Sequence, residues 1–398
     1  MRALLDTHCP LALGGTAVPE DAPAWALEDL ALFVASHGFW RPPRRHAGSE
    51  AAATALRYPA VRRALAAPWP ERSGGWGASR VAQACKDGDP DAPRVIWMYW
   101  GQGFERLPRF RRACVLTWAQ QNPGWDLVLL DRASALRFAD RALLPARWEE
   151  LMHEHMSDAL RLALLQQYGG VWADCGSVCL RPLEEWVWDR VARGEPATGA
   201  PPAGLAAFYL ARNGVDPGRS TEFVENWFLA ARRANPLICA WRELYCLAWE
   251  SHQHSIMVCR GPHFRHVNLD HMDGFQQGYL VMHVCFKKLI DENPRAHRIW
   301  AEEMLLLRAD ETSFAWVGEV EDWRRPGEEM CARAAVFRRD DAWVDALCAR
   351  APMLKFTGSF ARPLDWQPAE HLGRRDNCVA RLLARGLAGE GGLYELVD

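Results

Sequence analysis

No run of about 18 consecutive apolar residues occurs in the 398-residue chain, so no stretch reads as a helix crossing a bilayer. The 12 cysteines form no C-x-x-C pair, which removes the common zinc and dithiol motifs, and scattered cysteines in a chain of this size suit a reducing cytosol. An excess of either charge is also missing. With 47 Lys+Arg against 50 Asp+Glu the formal charge is −3, which argues against a nucleic-acid partner and against an electrostatic membrane patch. Neither an internal repeat nor a low-complexity tract is present. The stretch Met1–Val18 has one Arg and an apolar run interrupted by Asp6 and His8, which makes a poor signal peptide. Aromatic residues, by contrast, are plentiful: the 20 Trp supply candidates for core packing and for platforms under sugar rings.

Ala- and Leu-rich helical patterns at Trp25–Phe39 and Ala51–Ala67 alternate with Pro/Arg/Gly segments and read as an N-terminal helical appendage and linker, residues 1–84. The texture then changes. Val95-Ile-Trp-Met-Tyr99 is a buried-strand pattern that stops at Gly101-Gln-Gly103, Arg109–Gln121 reads as a helix closed by Asn122-Pro123, and Leu127–Leu130 is a second strand ending on Asp131. Ser157–Tyr168 is a third helical pattern, stopped by Gly169-Gly170, and Val171-Trp172-Ala173 is a short strand with Asp174 at its end. A Gly/Pro/Ala-rich loop (194–204), a strand at Ala206–Leu210, and helical patterns at Phe223–Ala234, Pro236–Trp249 and Tyr279–Asp291 follow. Alternating strands and helices give an α/β class over 85–365, and 366–398 reads as a tail with one helix, Asn377–Arg385.

Asp158 and Arg161, three apart on a helix, share a face, and the strand after the glycine turn brings Asp174 toward the same cleft. A carboxylate at the C-terminal end of a strand lies where open α/β sheets bind ligands. A nucleotide-sugar diphosphate needs such a set: a carboxylate for sugar hydroxyls, a guanidinium for phosphate charge, and often a metal-holding carboxylate.

Ser157-Asp158-x-x-Arg161, Leu164-Leu165, Tyr168-Gly-Gly-Val-Trp172 and Asp174 together resemble the core motif of the capsular polysaccharide synthesis glycosyltransferases, relatives of glycosyltransferase family 32. Three further blocks agree in order: Val95–Gly103 with Trp118 and Asn122-Pro123, Val224–Ala231, and Leu354-Lys-Phe-Thr357. The resemblance implies a GT-A-like fold, a Rossmann-like open sheet with flanking helices. It also implies transfer of a hexose, with retention, from a nucleotide-sugar donor to a glycan or lipid-linked glycan, in the cytoplasm at the inner face of the membrane, with peripheral association left open.

By the same resemblance Asp158, Arg161 and Asp174 are the catalytic set. Trp100, Gly101, Gly103, Asp131 and Gly170 fall on the donor side, and Asn226, Trp227 and His283 on the acceptor side. Asp174 takes the place of the first acid of a D-x-D-like element that would hold Mn²⁺ or Mg²⁺, with Thr357 and Ser359 as further candidate ligands. Gly176 stands where a second acid would, so the metal site departs from the pattern. A protein acceptor, or a catalytically inactive nucleotide-sugar binder, are the alternatives. The histidines at 252, 254, 263, 266, 271 and 283 match no metal-ligand spacing and read as polar loop and helix-face residues, and Cys175 as a small core residue beside the diphosphate.

Overall fold

A computed structural model describes residues 92–193, 204–210, 224–250, 258–259, 261–264, 266–269, 274–318, 340–356, 365 and 378–387. The expected N-terminal helical region, most of the 194–204 loop, Thr357 and Ser359 lie outside the described residues.

Strand β1 (Val95–Tyr99) is followed by helix α1 (Arg109–Gln121) and β2 (Asp126–Leu130), as the sequence pattern predicts. Helix α2 runs over His153–Gln167, starting four residues before its motif, and leads into β3 (Gly170–Ala173) and the short β4 (Ser177–Cys179). Strands β5 (Leu205–Tyr209) and β6 (Val224–Ala231) precede α3 (Pro236–Glu250) and α4 (Val281–Glu292), and β7 (Leu305–Arg308) completes the main sheet. Helix α5 (Asp341–Arg350), β8 (Met353–Lys355) and α6 (Cys378–Leu387) close the described chain.

The main sheet has the order β2-β1-β3-β6-β5-β7, with β2, β1 and β3 parallel, β6 antiparallel to both its neighbours, and β7 parallel to β5. Only β6 runs against the rest, and helices cover both faces, so the architecture is the expected α/β class, an open and mostly parallel sheet with flanking helices. Val95, Trp97 and Tyr99 of β1 point into the core shared with α2, α3 and α4, while Ile96 and Met98 point into the opposite core with Val115 and Trp118 of α1. The alternation is the period-two signature of a strand buried on both faces.

Strand β6 corrects the sequence reading, which has a helical pattern over 223–234. Val-Glu-Asn-Trp-Phe-Leu-Ala-Ala is helix-compatible in composition, but it lies in the middle of the sheet, where both faces are apolar and the strand alternation disappears. Helix α6, expected within the tail, packs Cys378, Val379, Leu382 and Leu383 into one core with Phe110 of α1, Val178 of β4 and Leu354 of β8. The antiparallel β4–β8 pair sets Ser177 opposite Lys355. This small second sheet matters most for the site, because it fixes a residue from the far end of the chain just past the end of β3.

Candidate active site

Helix α2 carries Asp158 and Arg161 on one face, and both are buried, each about 4% exposed. A surface ion pair at this spacing would be worth under about 1 kcal/mol, but this one is held by a network. Arg161 Nη2 lies 3.0 Å from Asp158 Oδ1 and donates to Ser157 Oγ at 2.9 Å. Its Nε donates to the Ser157 carbonyl at 3.3 Å, Nη1 donates to the Asn226 carbonyl of β6, and the guanidinium lies 4.9 Å over the Trp172 ring. Asn226 Nδ2 donates to Asp158 Oδ1 at 2.9 Å.

Asp174, just past β3, takes its place from backbone and side-chain bonds together: its N–H donates to the Trp227 carbonyl at 3.0 Å and Trp172 Nε1 donates to Oδ1 at 3.1 Å. Arg161 Nη2 is 3.7 Å from Oδ1, and Lys355 Nζ is 2.6 Å from Oδ2. Two carboxylates and two cations therefore alternate through one cluster, Asp158–Arg161–Asp174–Lys355. Asp174 is its most open member, with 28% of its side chain exposed, so the cluster is most accessible from solvent there.

The two acids differ in charge state. Burial pushes Asp158 up to about 6, against the pull of Arg161 and His283. Burial also pushes Asp174 upward, but Lys355 and Arg161, with the hydrogen bonds from Lys355 and Trp172, more than offset it and hold the group below its ordinary value. Two acids driven apart by their surroundings are a common mark of a reactive site. His155, one turn before Asp158 with Nδ1 3.9 Å from Oδ2, is pushed down to about 4 by burial and stays neutral at pH 7.

The remaining sequence candidates divide. Trp100 begins the loop at the C-terminal end of β1, and the Arg111 guanidinium, itself paired with Asp365 at 2.8 Å, lies 5.0 Å from its ring. This loop adjoins the Asp174 turn, since Cys175 Sγ reaches the Tyr99 carbonyl at 3.5 Å. Gly101 abuts His153 at the start of α2, and Gly103 has φ 92°. Asp131, past the end of β2, spends Oδ1 on the Ser134 N–H and hydroxyl, both at 2.7 Å, a turn-capping arrangement. Asn226 joins the ion cluster through its side chain to Asp158 and its carbonyl to Arg161. Trp227 is a core residue, 3% exposed and stacked on Phe208 at 4.8 Å, and its Nε1 donates to Glu225 Oε2 at 2.7 Å. His283 Nε2 stands 3.8 Å from the same Glu225 oxygen.

Gly170 is not with the others. It opens β3, at the opposite end of the strand from Asp174, and its φ is 93°. A Cβ there would lie 2.6 Å from the Val95 carbonyl oxygen, so the glycine serves the close packing of β3 on β1.

The sequence pattern leaves Lys355, His155 and Glu225 out of the site. Lys355 stands within one of the resembling blocks, but its charge has no local meaning there. Only the β4–β8 pairing brings it to Asp174.

The residues present do not fit a divalent cation at Asp174. Both oxygens of that carboxylate already face cations, and no group of three or more His, Cys, Asp or Glu that could hold a metal occurs among the described residues. The place of a second acid is closed as well: a Cβ on Gly176 would lie 2.8 Å from the Phe356 carbonyl oxygen and 3.5 Å from Arg111 Nη1. Gly176→Ala is therefore expected to lower stability by about 1–3 kcal/mol, by forcing β8 away from β4. Thermal unfolding measures it, and an unchanged melting temperature would show that the β8 end yields freely.

Residues 82–258 match the family model described as capsular polysaccharide synthesis protein. The chain is 28% identical to the glycosyltransferase afumC of Aspergillus fumigatus, over 58% of this chain and 63% of that one. It is 27% identical to the O-glycosyltransferase braB of Annulohypoxylon truncatum, over 43% and 41%, and 28% identical to the O-glycosyltransferase PaGT of Phomopsis amygdali, over 46% and 44%. The chain thus spans less than two thirds of the length of each of these curated relatives. A solved structure, PaToxG glycosyltransferase, aligns over 59% of this chain and 80% of its own, with TM-score 0.31 and 14% identity. Asp158, Arg161, Asp174 and Asn226 fall inside the family match, and Lys355 falls outside it.

Proposed function

We propose that this chain, a homologue of glycosyltransferases with the capsular polysaccharide synthesis family match over residues 82–258, transfers a hexose from a nucleotide-sugar donor to a hydroxyl of a growing surface glycan or lipid-linked glycan. The observation that carries the reading is the Asp158–Arg161–Asp174 cluster at the C-terminal edge of the parallel strands, with Asp174 open to solvent. The names of two relatives, both O-glycosyltransferases, support oxygen as the acceptor atom.

In this reading the nucleotide lies on the loop from Trp100 to Gly103, and the sugar's hydroxyls donate to Asp158 and Asp174. Arg161 supports both carboxylates and faces the diphosphate. Its Nε, Nη1 and Nη2 each already have a protein partner, which fixes the guanidinium before the donor arrives, so little reorganisation is needed as charge develops on the leaving group. Retention of configuration follows if the acceptor hydroxyl attacks from the face the diphosphate leaves, with no enzymic nucleophile. No helix among the described residues is long and apolar enough to cross a membrane.

A panel of nucleotide sugars, assayed for thermal stabilisation and slow donor hydrolysis and then for transfer to glycan and protein acceptors, tests the proposal. Stabilisation by at least one donor and transfer to a glycan, with the product's anomeric configuration unchanged by NMR, is the expected result. Transfer to protein alone would move the acceptor class. Absence of stabilisation and hydrolysis with every donor would reject the donor reading.

A further inference from the structure

The chain's own cation sits where the donor set of this site fails a metal. We propose that the Lys355 ammonium carries the diphosphate of the donor in place of a divalent cation, so that donor binding and transfer need no metal. This rests on the glycosyl-transfer reading above and deepens it.

Three observations support it. Asp174 Oδ2 is 2.6 Å from Lys355 Nζ, and Oδ1 lies 3.7 Å from Arg161 and accepts from Trp172. A doubly charged ion brought to that carboxylate would meet two fixed positive charges. The second acid that could offset this repulsion has no room, because the Phe356 carbonyl of the chain just past β8 closes over Gly176. The residue that excludes the acid directly follows β8, which delivers the lysine through the Ser177–Lys355 register.

Lys355 is also placed to be shared. An ammonium has three donors, and one of these is directed at Asp174, whose side chain is partly open. A phosphate oxygen arriving beside Asp174 would take a second. Lys355 and Arg161 would then flank the diphosphate with two positive charges. As transfer proceeds, the bond from the anomeric carbon to the phosphate oxygen breaks with its electron pair on the diphosphate. The acceptor oxygen bonds to that carbon, and the hydroxyl proton passes to the departing phosphate oxygen. Lys355 stays protonated throughout and donates to the growing charge.

Binding of uridine diphosphate, guanosine diphosphate and inorganic pyrophosphate to the full chain, measured by calorimetry in EDTA and in Mn²⁺, tests the proposal. Nucleoside-diphosphate affinity should agree within about threefold between the two conditions, which means little linkage between metal and nucleotide. Lys355→Met should lose roughly tenfold or more in EDTA, and Lys355→Arg should keep most of the affinity. Mn²⁺ should restore part of the loss in Lys355→Met, because Asp174 is then free to meet a cation. If Lys355→Met does not fold, the wild-type comparison and Lys355→Arg decide. Wild-type binding only in Mn²⁺, or undiminished binding by folded Lys355→Met in EDTA, overturns the lysine proposal and leaves the glycosyltransferase reading standing. No binding of either nucleoside diphosphate in any condition overturns both.

Discussion

Arg161→Lys is expected to slow sugar transfer by roughly 10²–10³-fold, and to lower stability by about 1–3 kcal/mol as well. A guanidinium reaches its partners as a planar fork, and here nearly every arm is used: Nε on the Ser157 carbonyl, Nη1 on the Asn226 carbonyl, and Nη2 between Ser157 Oγ and the two carboxylates. Its face rests on Trp172, 4.9 Å away. An ammonium on a flexible stem keeps the charge but cannot span α2, β6 and the end of β3 at once. The Asn226 carbonyl or a carboxylate would then be left short of a donor in a site from which water is largely excluded, and an unsatisfied buried acceptor is costly. Arg161→Met goes further and should cost about 3–5 kcal/mol, because it leaves the buried Asp158 without its cation. Rates should be taken at a temperature where thermal unfolding shows the lysine variant still folded. A folded lysine variant with the parent rate would return Arg161 to a structural role.

Much of this site is legible in the sequence. The spacing of Asp158 and Arg161 before the glycine turn, and of Asp174 after the short strand, needs only helix periodicity and the reversal of the chain. The cluster forms as those patterns require. What is not legible depends on long-range pairing. Lys355 reaches Asp174 because β8 joins β4, and nothing within either segment announces that partner. Strand β6 hides for a related reason: buried on both faces, it shows neither polar alternation nor a turn signal to separate it from a helix. Burial, too, escapes the pattern. An Asp–Arg pair on a helix reads alike whether it faces water or lies beneath β6, and only the fold shows Asn226 closing over it. Gly170 shows the opposite error, since a glycine beside a functional motif satisfies the sheet's need for close approach.

The pH dependence of transfer should show an acid limb near pH 6 that belongs to Asp158. Burial raises this carboxyl from 3.8 to about 6, and a sugar hydroxyl needs the ionised form as its acceptor. Below the limb kcat/KM should fall about tenfold per pH unit, as for loss of a single ionisation. The diphosphate brings further negative charge toward the acid, so the limb in kcat, which reports the bound enzyme, should lie at the same pH or higher.

Stability will not reveal this ionisation. Between about pH 4 and 6 the folded chain keeps a proton on Asp158 that the unfolded chain has released, so this contribution is present at low pH and lost as pH rises through about 6. His155, pushed down from 6.5 to about 4, does the reverse: its contribution is present above 6.5 and lost as pH falls toward 4. The two slopes oppose each other over nearly the same window, while Asp174, held below its ordinary value, adds its own loss only under more acidic conditions. Melting temperature should therefore change little on account of the Asp158–His155 pair while activity drops steeply, which separates a titrating acid from simple acid unfolding. Asp158→Asn keeps an oxygen to accept from Asn226 but loses the charge opposite Arg161. It should lose roughly 10²-fold or more in kcat/KM, and its remaining activity should have no limb at pH 6. Steady-state rates from about pH 5 to about pH 8, with circular dichroism at each pH, decide it: a wild-type kcat/KM that stays flat down to about pH 5 would mean that Asp158 acts in its neutral form, as a donor to the sugar instead of an acceptor.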